Sequence, residues 1–261
     1  MAPSTGPHPG PSTAPSSPAA EAAATERELR SDRILDAAEE LLVAWGRRKI
    51  TIEDVARRAK VGKGTVYLHF ATKEALLLTV VMRAQLGLMR QVLDFMGRSP
   101  DNVRPSEVAR SVYLSHLDSP LMRAVFTGGT ESLGNLSRDA AALVGEIVVE
   151  RQRSMEAYWG VLRDLGLLRS DLPADNQLYA YNALVLAHLV TPPVLEQQGL
   201  HVPDHDERAD LMARSIRLLL EQDTAPEDTR KAQTRALEIL SALYRSMRSE
   251  IERLQQSPRT A

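Results

Sequence analysis

The sequence predicts an all-α protein, and three observations support that prediction. Apolar residues recur along most of the chain with the 3.6-residue period of amphipathic helices. No convincing alternation of apolar and polar residues predicts a strand, and no Asn-Gly pair predicts a hairpin turn. The 261 residues, 43% apolar and 25% charged, have the composition of an ordinary soluble protein with ample length for a buried core.

Several classes of function are disfavoured by what the sequence lacks. It contains no cysteine, which removes disulfides, thiolate zinc sites and cysteine nucleophiles. The longest apolar run, ALVLAHLV at 183–190, is far shorter than the roughly 18 residues that span a bilayer, and the N-terminus has no secretory signal pattern. His201 and His205 flank Pro203, which favours a loop over a helical metal motif. We expect a cytoplasmic protein with no cofactor, no metal and no membrane contact.

The N-terminal part predicts a disordered tail followed by one long helix. Residues 1–24 are rich in Pro, Ala and Ser and carry too little apolar bulk to offset the entropy of ordering. Thr25-Glu26-Arg27-Glu28 is a capping-box pattern, which predicts a helix start. The apolar stripe that follows ends at Gly46, so the helix is predicted to end there.

Two short helices joined by a tight turn are predicted next. Thr51 caps the first, whose inward residues are Ile52, Val55, Ala56 and Ala59. Lys60-Val61-Gly62 forms the turn, and the second helix runs over residues 63–70 with Val66 and Phe70 as its inward pair. This pattern is a helix-turn-helix, whose second helix enters the major groove of DNA.

The outward side of the second helix carries residue types that contact nucleic acid. Its outward residues are Lys63, Thr65, Tyr67, Leu68 and His69. Polar and basic side chains of this kind bind phosphate, and a leucine can contact a thymine methyl group. Residues 47–73 carry a net charge of +6 and the rest of the chain −8, the distribution expected of a DNA-contacting patch. The alternative is a plain helical hairpin with a solvated polar side.

At these residues the sequence resembles a known family. TIEDVARRAKVGKGTVYLHFATKEAL, residues 51–76, closely resembles the DNA-binding signature of TetR-type (tetracycline-repressor) transcriptional regulators. The resemblance covers about residues 29–80 and departs from the family at Lys60, often glycine, and Gly62, often serine. It implies a homodimer on a near-palindromic double-stranded operator, a C-terminal ligand domain and usually repression. The implied DNA contacts are Thr51, Lys63, Thr65, Tyr67, Leu68, His69 and Lys73, with further phosphate contacts from Arg47 and Arg48.

The resemblance and the helix pattern together predict four regions. They are a disordered tail at 1–24, a three-helix helix-turn-helix DNA-binding domain at 25–71, an effector-binding and dimerisation domain at 72–221, and a helical extension at 222–261. The second region continues into a long helix from Thr72 to about Gly97. Later helices are predicted near 105–117, 120–133, 137–165, 175–190, 207–221 and 227–256.

Two of the later helices are candidates for a dimer interface, and the alternative is that they form the core of a monomer. The segment 176–190 is apolar nearly all round, which predicts burial on both sides. Helix 207–221 has an apolar stripe at Ala209, Met212, Ile216 and Leu219. The extension carries an apolar stripe with 3-4-3-4-3 spacing from Leu237 to Leu254, which predicts packing on the protein's own body or on a dimer partner.

An effector site is predicted between the helices of the body. Aromatic, Met and His side chains line such cavities, although each is more often plain core. The candidates are Tyr113, His116, Met122, Phe126, Met155, Trp159, Tyr181 and His188. The leading hypothesis is a repressor released from DNA by a small, mostly apolar effector. The alternatives are a ligand-independent DNA-binding factor of the same fold, with a nucleoid or cell-division role, and, much less favoured, a helical-bundle enzyme.

Overall fold

The computed structural model describes residues 18–46, 49–122 and 144–256, with side chains from residue 25 to residue 255. The regular elements in these ranges are helices, apart from an isolated antiparallel bridge between Leu168 and Glu221. The all-α prediction is therefore confirmed. Outside the described residues lie the tail up to residue 17, Arg47, Arg48, Phe126, most of predicted helix 120–133 and the start of predicted helix 137–165.

Three N-terminal helices form a compact unit that we call the head: α1 Pro18–Trp45, α2 Ile52–Ala59 and α3 Lys63–His69. Their apolar sides share one buried cluster with the first half of the next helix. The four inward residues predicted for α2 are all buried, and Val66 and Phe70 lie completely buried beneath α3. The helix-turn-helix predicted from the sequence is thus present.

The first helix begins earlier than the sequence pattern predicts. It starts at Pro18, so Thr25 lies inside the helix and the predicted helix start there is wrong. Residues 18–24 are accordingly helical, although they were expected to be disordered. The reason is local: this segment is rich in alanine, the strongest helix former, and proline is favoured at a first helical position. Gly46 ends α1 with a φ of 73°, as predicted.

The turn between α2 and α3 contains a strained residue. Lys60 ends α2 with φ 56° and ψ 44°, in the left-handed region that glycine adopts at the least cost. Its backbone N–H donates to the carbonyl oxygen of Arg57, and the N–H of Val61 donates to that of Ala56. The chain therefore adopts a turn geometry suited to glycine with a lysine in its place.

The helix α4, Lys73–Arg98, connects the head to the rest of the protein. Thr72 caps it by accepting a hydrogen bond of 3.0 Å from the backbone N–H of Ala75. In the described part of the chain α4 is the one helix long and apolar enough to cross a membrane, and half of its most apolar stretch is buried within the protein. Its packing is that of a core helix shared by the head and the helices that follow.

The helices beyond α4 form a second unit that we call the body. It contains a 3-10 turn Pro100–Val103, α5 Pro105–Asp118, α6 Gly145–Asp164, α7 Ala174–Val190, α8 Pro192–Gln197 and α9 His205–Leu220; residues 120–122 are also helical. The 3-10 turn and α8 were not predicted from the sequence. Each starts with proline and spans less than two turns, which is too short for an amphipathic period to be visible.

The two helices predicted to form a dimer interface pack differently from the prediction. On α7 only Gln177 is fully buried, while Tyr179 is 76% exposed, so burial of this helix on both sides is wrong for the single chain. On α9, Ala209, Met212 and Ile216 are buried within the chain's own core, but Leu219 is exposed. The predicted α9 stripe is thus largely an internal packing surface.

The predicted C-terminal extension is the helix α10, Pro226–Gln256. It packs along α4, α6 and the 3-10 turn, and its far end touches α3. Ile251 and Leu254 join a small buried cluster with Leu78 and Met82 of α4. The apolar stripe of the extension therefore packs on the chain's own α4 and α6, one of the two predicted arrangements.

We predict that Lys60→Gly stabilises the protein. An L-residue in the left-handed region is strained by roughly 1–2 kcal/mol, more than glycine loses in chain entropy, so the free energy of unfolding should rise by about 1 kcal/mol. Urea unfolding measures this, with Lys60→Ala as the control because it removes the same charge and keeps the strain. Equal effects of the two substitutions would contradict the prediction.

Candidate nucleic-acid interface

The outward face of α3 is built on its two buried residues. Val66 and Phe70 fix the helix against the head, and this leaves Lys63 and Leu68 on the solvent side with Thr65 and Tyr67 half-buried beside them. The Leu68 side chain is 67% exposed although it is large and apolar. A short helix that is anchored by its buried side and carries an exposed leucine among polar groups is suited to insertion into the major groove of DNA.

Lys63 is held in place by two neighbours. Its ammonium group donates a hydrogen bond to the Glu53 carboxylate on α2 and lies 6.0 Å from the centre of the Tyr67 ring. The hydrogen bond lowers the pKa of Glu53 and raises that of Lys63, so both groups are charged at neutral pH. In the protein alone, Lys63 is thus already paired with a carboxylate that a phosphate group would have to replace.

The other predicted phosphate contacts lie at helix starts. Thr51 forms a capping box with Asp54: its hydroxyl accepts from the Asp54 backbone N–H at 3.2 Å and donates to the Asp54 carboxylate at 2.6 Å. The bond from Thr51 is the main reason that the pKa of Asp54 is lowered. Lys73 is the first residue of α4 and is half-buried. The hydroxyl of Thr51 is therefore engaged in the cap, and Lys73 remains a predicted contact.

His69 does not point outward, and that prediction is wrong. Its side chain is 3% exposed and its Nδ1 atom is buried without a hydrogen-bond partner among the described residues. Burial lowers the pKa of His69, and the positive charges of Arg27 and Arg30 on α1 lower it further. The ring lies near α1 and lines a cleft together with residues of α1 and α10. His69 is thus a neutral group in the head and not part of the outward face.

The positive charge of the head is partly neutralised within the protein. Arg57 pairs with Asp54, and the Arg58 Nε atom donates to the Glu40 carboxylate of α1 at 2.6 Å. The excess of basic residues in the sequence thus overstates the charge that faces solvent. Glu53 and Glu40 were not identified as part of the site from the sequence. Glu53 lies ten residues before Lys63, and no local pattern signals that pairing.

The predicted effector residues fall into separate places. Tyr113, Met155, Trp159 and Tyr181 contribute to the same body cluster, where the Trp159 and Tyr181 ring centres are 5.0 Å apart. Met122 instead belongs to the head cluster, so its placement among the body candidates is wrong.

The two candidate histidines of the body use one ring nitrogen within their own helices. His116 Nδ1 lies 2.7 Å from the Val112 carbonyl oxygen, and His188 Nδ1 lies 2.9 Å from that of Leu184. Burial lowers the pKa of His116. Each ring is therefore fixed to its helix through Nδ1.

The pair α2 and α3, with the outward face of α3 exposed, places the chain in the class of helix-turn-helix proteins. Residues 34–80 match the family model described as bacterial regulatory proteins, tetR family. An uncharacterised HTH-type transcriptional regulator of Mycobacterium tuberculosis (strain CDC 1551 / Oshkosh) is 33% identical over 115 residues, 42% of this chain and 55% of the relative. The match thus spans about half the length of that relative. Residues 34–80, which include most of the head and the start of α4, therefore match the tetR family in sequence.

Two further similarities extend over more of the chain. The HTH-type transcriptional regulator AlkX of Mycobacterium tuberculosis (strain ATCC 25618 / H37Rv) is 26% identical over 193 residues, 72% of this chain and 84% of AlkX. The structure of SmeT, the repressor of the Stenotrophomonas maltophilia multidrug efflux pump SmeDEF, matches with a TM-score of 0.52 and 23% identity over 74% of this chain and 91% of SmeT. The likeness to SmeT concerns the fold. The family consists of regulators and not enzymes.

We predict that Glu53→Gln tightens DNA binding. The substitution removes the carboxylate that pairs with Lys63, so the lysine can bind a DNA phosphate without first breaking an ion pair. The affinity for DNA should therefore rise roughly two- to fivefold at low salt. Fluorescence anisotropy with a bound duplex measures it. Glu74→Gln is the matched control, because Glu74 is an exposed acid of the same region that pairs with no described lysine or arginine. An equal gain in both variants would show that net charge alone is responsible.

Proposed function

We propose that the chain is a DNA-binding transcriptional regulator, and a repressor that acts in the cytoplasm on a near-palindromic operator. The observation that supports this most directly is the outward face of α3, where an exposed Leu68 stands beside Lys63, Thr65 and Tyr67 over a fully buried Val66 and Phe70. The match of residues 34–80 to the tetR family model supports the same proposal. Lys63, Thr65 and Tyr67 meet phosphate, and Leu68 contacts base edges.

Dimerisation is part of the proposal. On α7, Tyr179 and Leu186 are exposed, and on the adjacent α9 Leu211, Leu218 and Leu219 are exposed. Tyr179 and Leu186 are seven residues apart, as are Leu211 and Leu218, so each pair lies on one side of its helix. Two helices from each protomer then form a four-helix interface, and two symmetric heads read two symmetric half-sites.

The proposed effector is a small, mostly apolar molecule bound in the body. Tyr113 Oη and Trp159 Nε1 are buried in the body cluster and have no hydrogen-bond partner among the described residues. Buried polar atoms are almost always satisfied, so an acceptor group of a ligand is a suitable partner for both donors. Effector binding releases DNA, and DNA weakens effector binding by the same factor. The alternative is a ligand-independent DNA-binding factor, in which water satisfies these two atoms.

We predict that Lys63→Ala and Leu68→Ala change DNA binding in different ways. Lys63 contacts phosphate, so its loss should weaken binding to all duplexes and reduce the salt dependence by about one unit of slope. Leu68 contacts bases, so its loss should change the preferred sequence. Duplexes selected from a random library by the full chain provide the probe, with Lys231→Ala as the control lysine. Unchanged affinity of a Lys63→Ala/Tyr67→Ala/Leu68→Ala variant would refute the proposed interface.

We predict that Leu218→Glu converts the dimer to a monomer without unfolding it. The side chain is 68% exposed in the single chain, so a charge there leaves the protomer intact but is buried in the proposed interface. Sedimentation velocity at micromolar concentration measures the change. Leu200→Glu, at an exposed leucine outside α7 and α9, should leave the dimer unchanged. A folded, monomeric parent protein would rule out this interface.

We predict that Trp159→Phe selectively weakens effector binding. The substitution removes the Nε1 donor and keeps an aromatic ring, so aryl ketones should bind about tenfold more weakly while matched hydrocarbons without the carbonyl are unaffected. Release of a fluorescent operator duplex by each compound is the measurement. Trp45→Phe is the control, because Trp45 is half exposed on α1. If no compound releases DNA and ordered water occupies both donors, the ligand-independent alternative holds.

A further inference from the structure

The far end of α10 meets the head and leaves a cleft beside it. Ile251 and Leu254 pack on Leu78 and Met82 of α4, which brings the last turns of α10 opposite α1 and into contact with α3. A cleft of about 750 Å³ lies between α1 and α10, with His69 of α3 and Arg83 of α4 in its lining. This volume is within the range of small-molecule sites.

Two buried polar atoms in this lining have no partner. Ser31 of α1 and His69 of α3 are each 3% exposed, and neither Ser31 Oγ nor His69 Nδ1 forms a hydrogen bond with any described residue. Both residues line the cleft. A hydroxyl both donates and accepts, and the Nδ1 atom of a neutral imidazole does one or the other. The cleft thus offers two hydrogen-bonding positions to a bound molecule.

The walls of the cleft carry both signs of charge. On α1, Glu28 and Asp32 line the cleft and form no ion pair with any described residue. On α10, Arg248 lines it and donates a hydrogen bond of 3.0 Å to Glu252, with both side chains exposed. An exposed pair of this kind is weak and is easily exchanged for a ligand contact.

A second arginine of the lining, Arg83, is already engaged. The Arg83 guanidinium donates to the carboxylates of Asp36 at 2.7 Å and Glu39 at 3.0 Å, which ties α4 to α1. Arg27 of α1 completes the lining charges, so three arginines oppose three carboxylates and the lining is neutral overall. A neutral lining with separated charges of both signs gives little attraction for a polyanion or a polycation and favours a molecule that itself carries one charge of each sign.

We propose that this cleft binds a small zwitterion of the amino-acid class. Its ammonium group pairs with Glu28 and Asp32, its carboxylate pairs with Arg248, and its polar groups reach Ser31 and His69 at the floor. The site joins the head to the C-terminal helix and is separate from the effector cluster around Trp159. The proposal does not depend on DNA binding, so it stands or fails independently of the proposed function.

The test is a titration of the full-length protein with each standard amino acid at millimolar concentration. The chain has six histidines, so histidine-selective carbon labelling gives few NMR signals, and the ring signal of His69 is assigned from a His69→Gln variant. We expect at least one amino acid to shift this signal in a saturable way. Isothermal titration calorimetry then gives its affinity, and the corresponding amine and carboxylic acid alone should bind more weakly.

Matched variants locate the binding. Asp32→Asn and Arg248→Gln should each weaken binding of the amino acid about tenfold, which is the effect expected from the loss of one hydrogen bond to a charged group. Arg245→Gln, an exposed arginine on the same helix that does not line the cleft, should have no effect. The proposal is overturned if no amino acid shifts the His69 signal, if the two cleft variants bind like the parent, if the amine or the carboxylic acid alone binds equally well, or if only water is found at Ser31 and His69.

Discussion

The burial of α4 on several sides is the interaction on which the rest of the structure depends. Leu76 and Val80 complete the core of the head, and Val92 and Met96 belong to the core of the body. Leu78 and Met82 of the same helix form a third cluster with α10. Because one continuous helix supplies apolar side chains to all three clusters, unfolding any of them exposes part of the same helix to water. The orientation of the head is therefore a property of the whole core.

The parts of the fold that the sequence predicted are those determined by local physics. The helix-turn-helix follows from inward residues at Ile52, Val55 and Val66, and the start of α4 follows from Thr72 as a cap. The misses are of two kinds. Alanine-rich residues 18–24 have low hydrophobicity, which was interpreted as disorder, although their intrinsic preference is helical. The burial of His69 depends on helices that are distant in sequence, since its ring lies near Arg27 and Arg30 of α1 and shares a cleft with α10, and no pattern within α3 contains that information.

The site shows the same division between local and tertiary information. The exposed Leu68 could be predicted, since it is the position left over once Val66 and Phe70 are placed inward. The charge of the interface could not, because Lys63 pairs with Glu53 and Arg58 with Glu40 of a different helix. A net charge taken from the sequence counts every arginine and lysine equally, whereas the folded protein has already paired several of them. The positive charge that the head presents to solvent is therefore smaller than the sequence count indicates.

The packing of α10 along α4 has a mechanical consequence. A head attached by a single helix can rotate about the end of that helix. Here α10 runs beside α4 and its far end contacts α3, so two adjacent helices that share the cluster of Met82 and Ile251 support the head. Two adjacent helices resist bending in the plane that contains both, but one helix can still slide along the other. A displacement of the head relative to the body would therefore require α10 to slide along α4 and to exchange the contacts of that cluster.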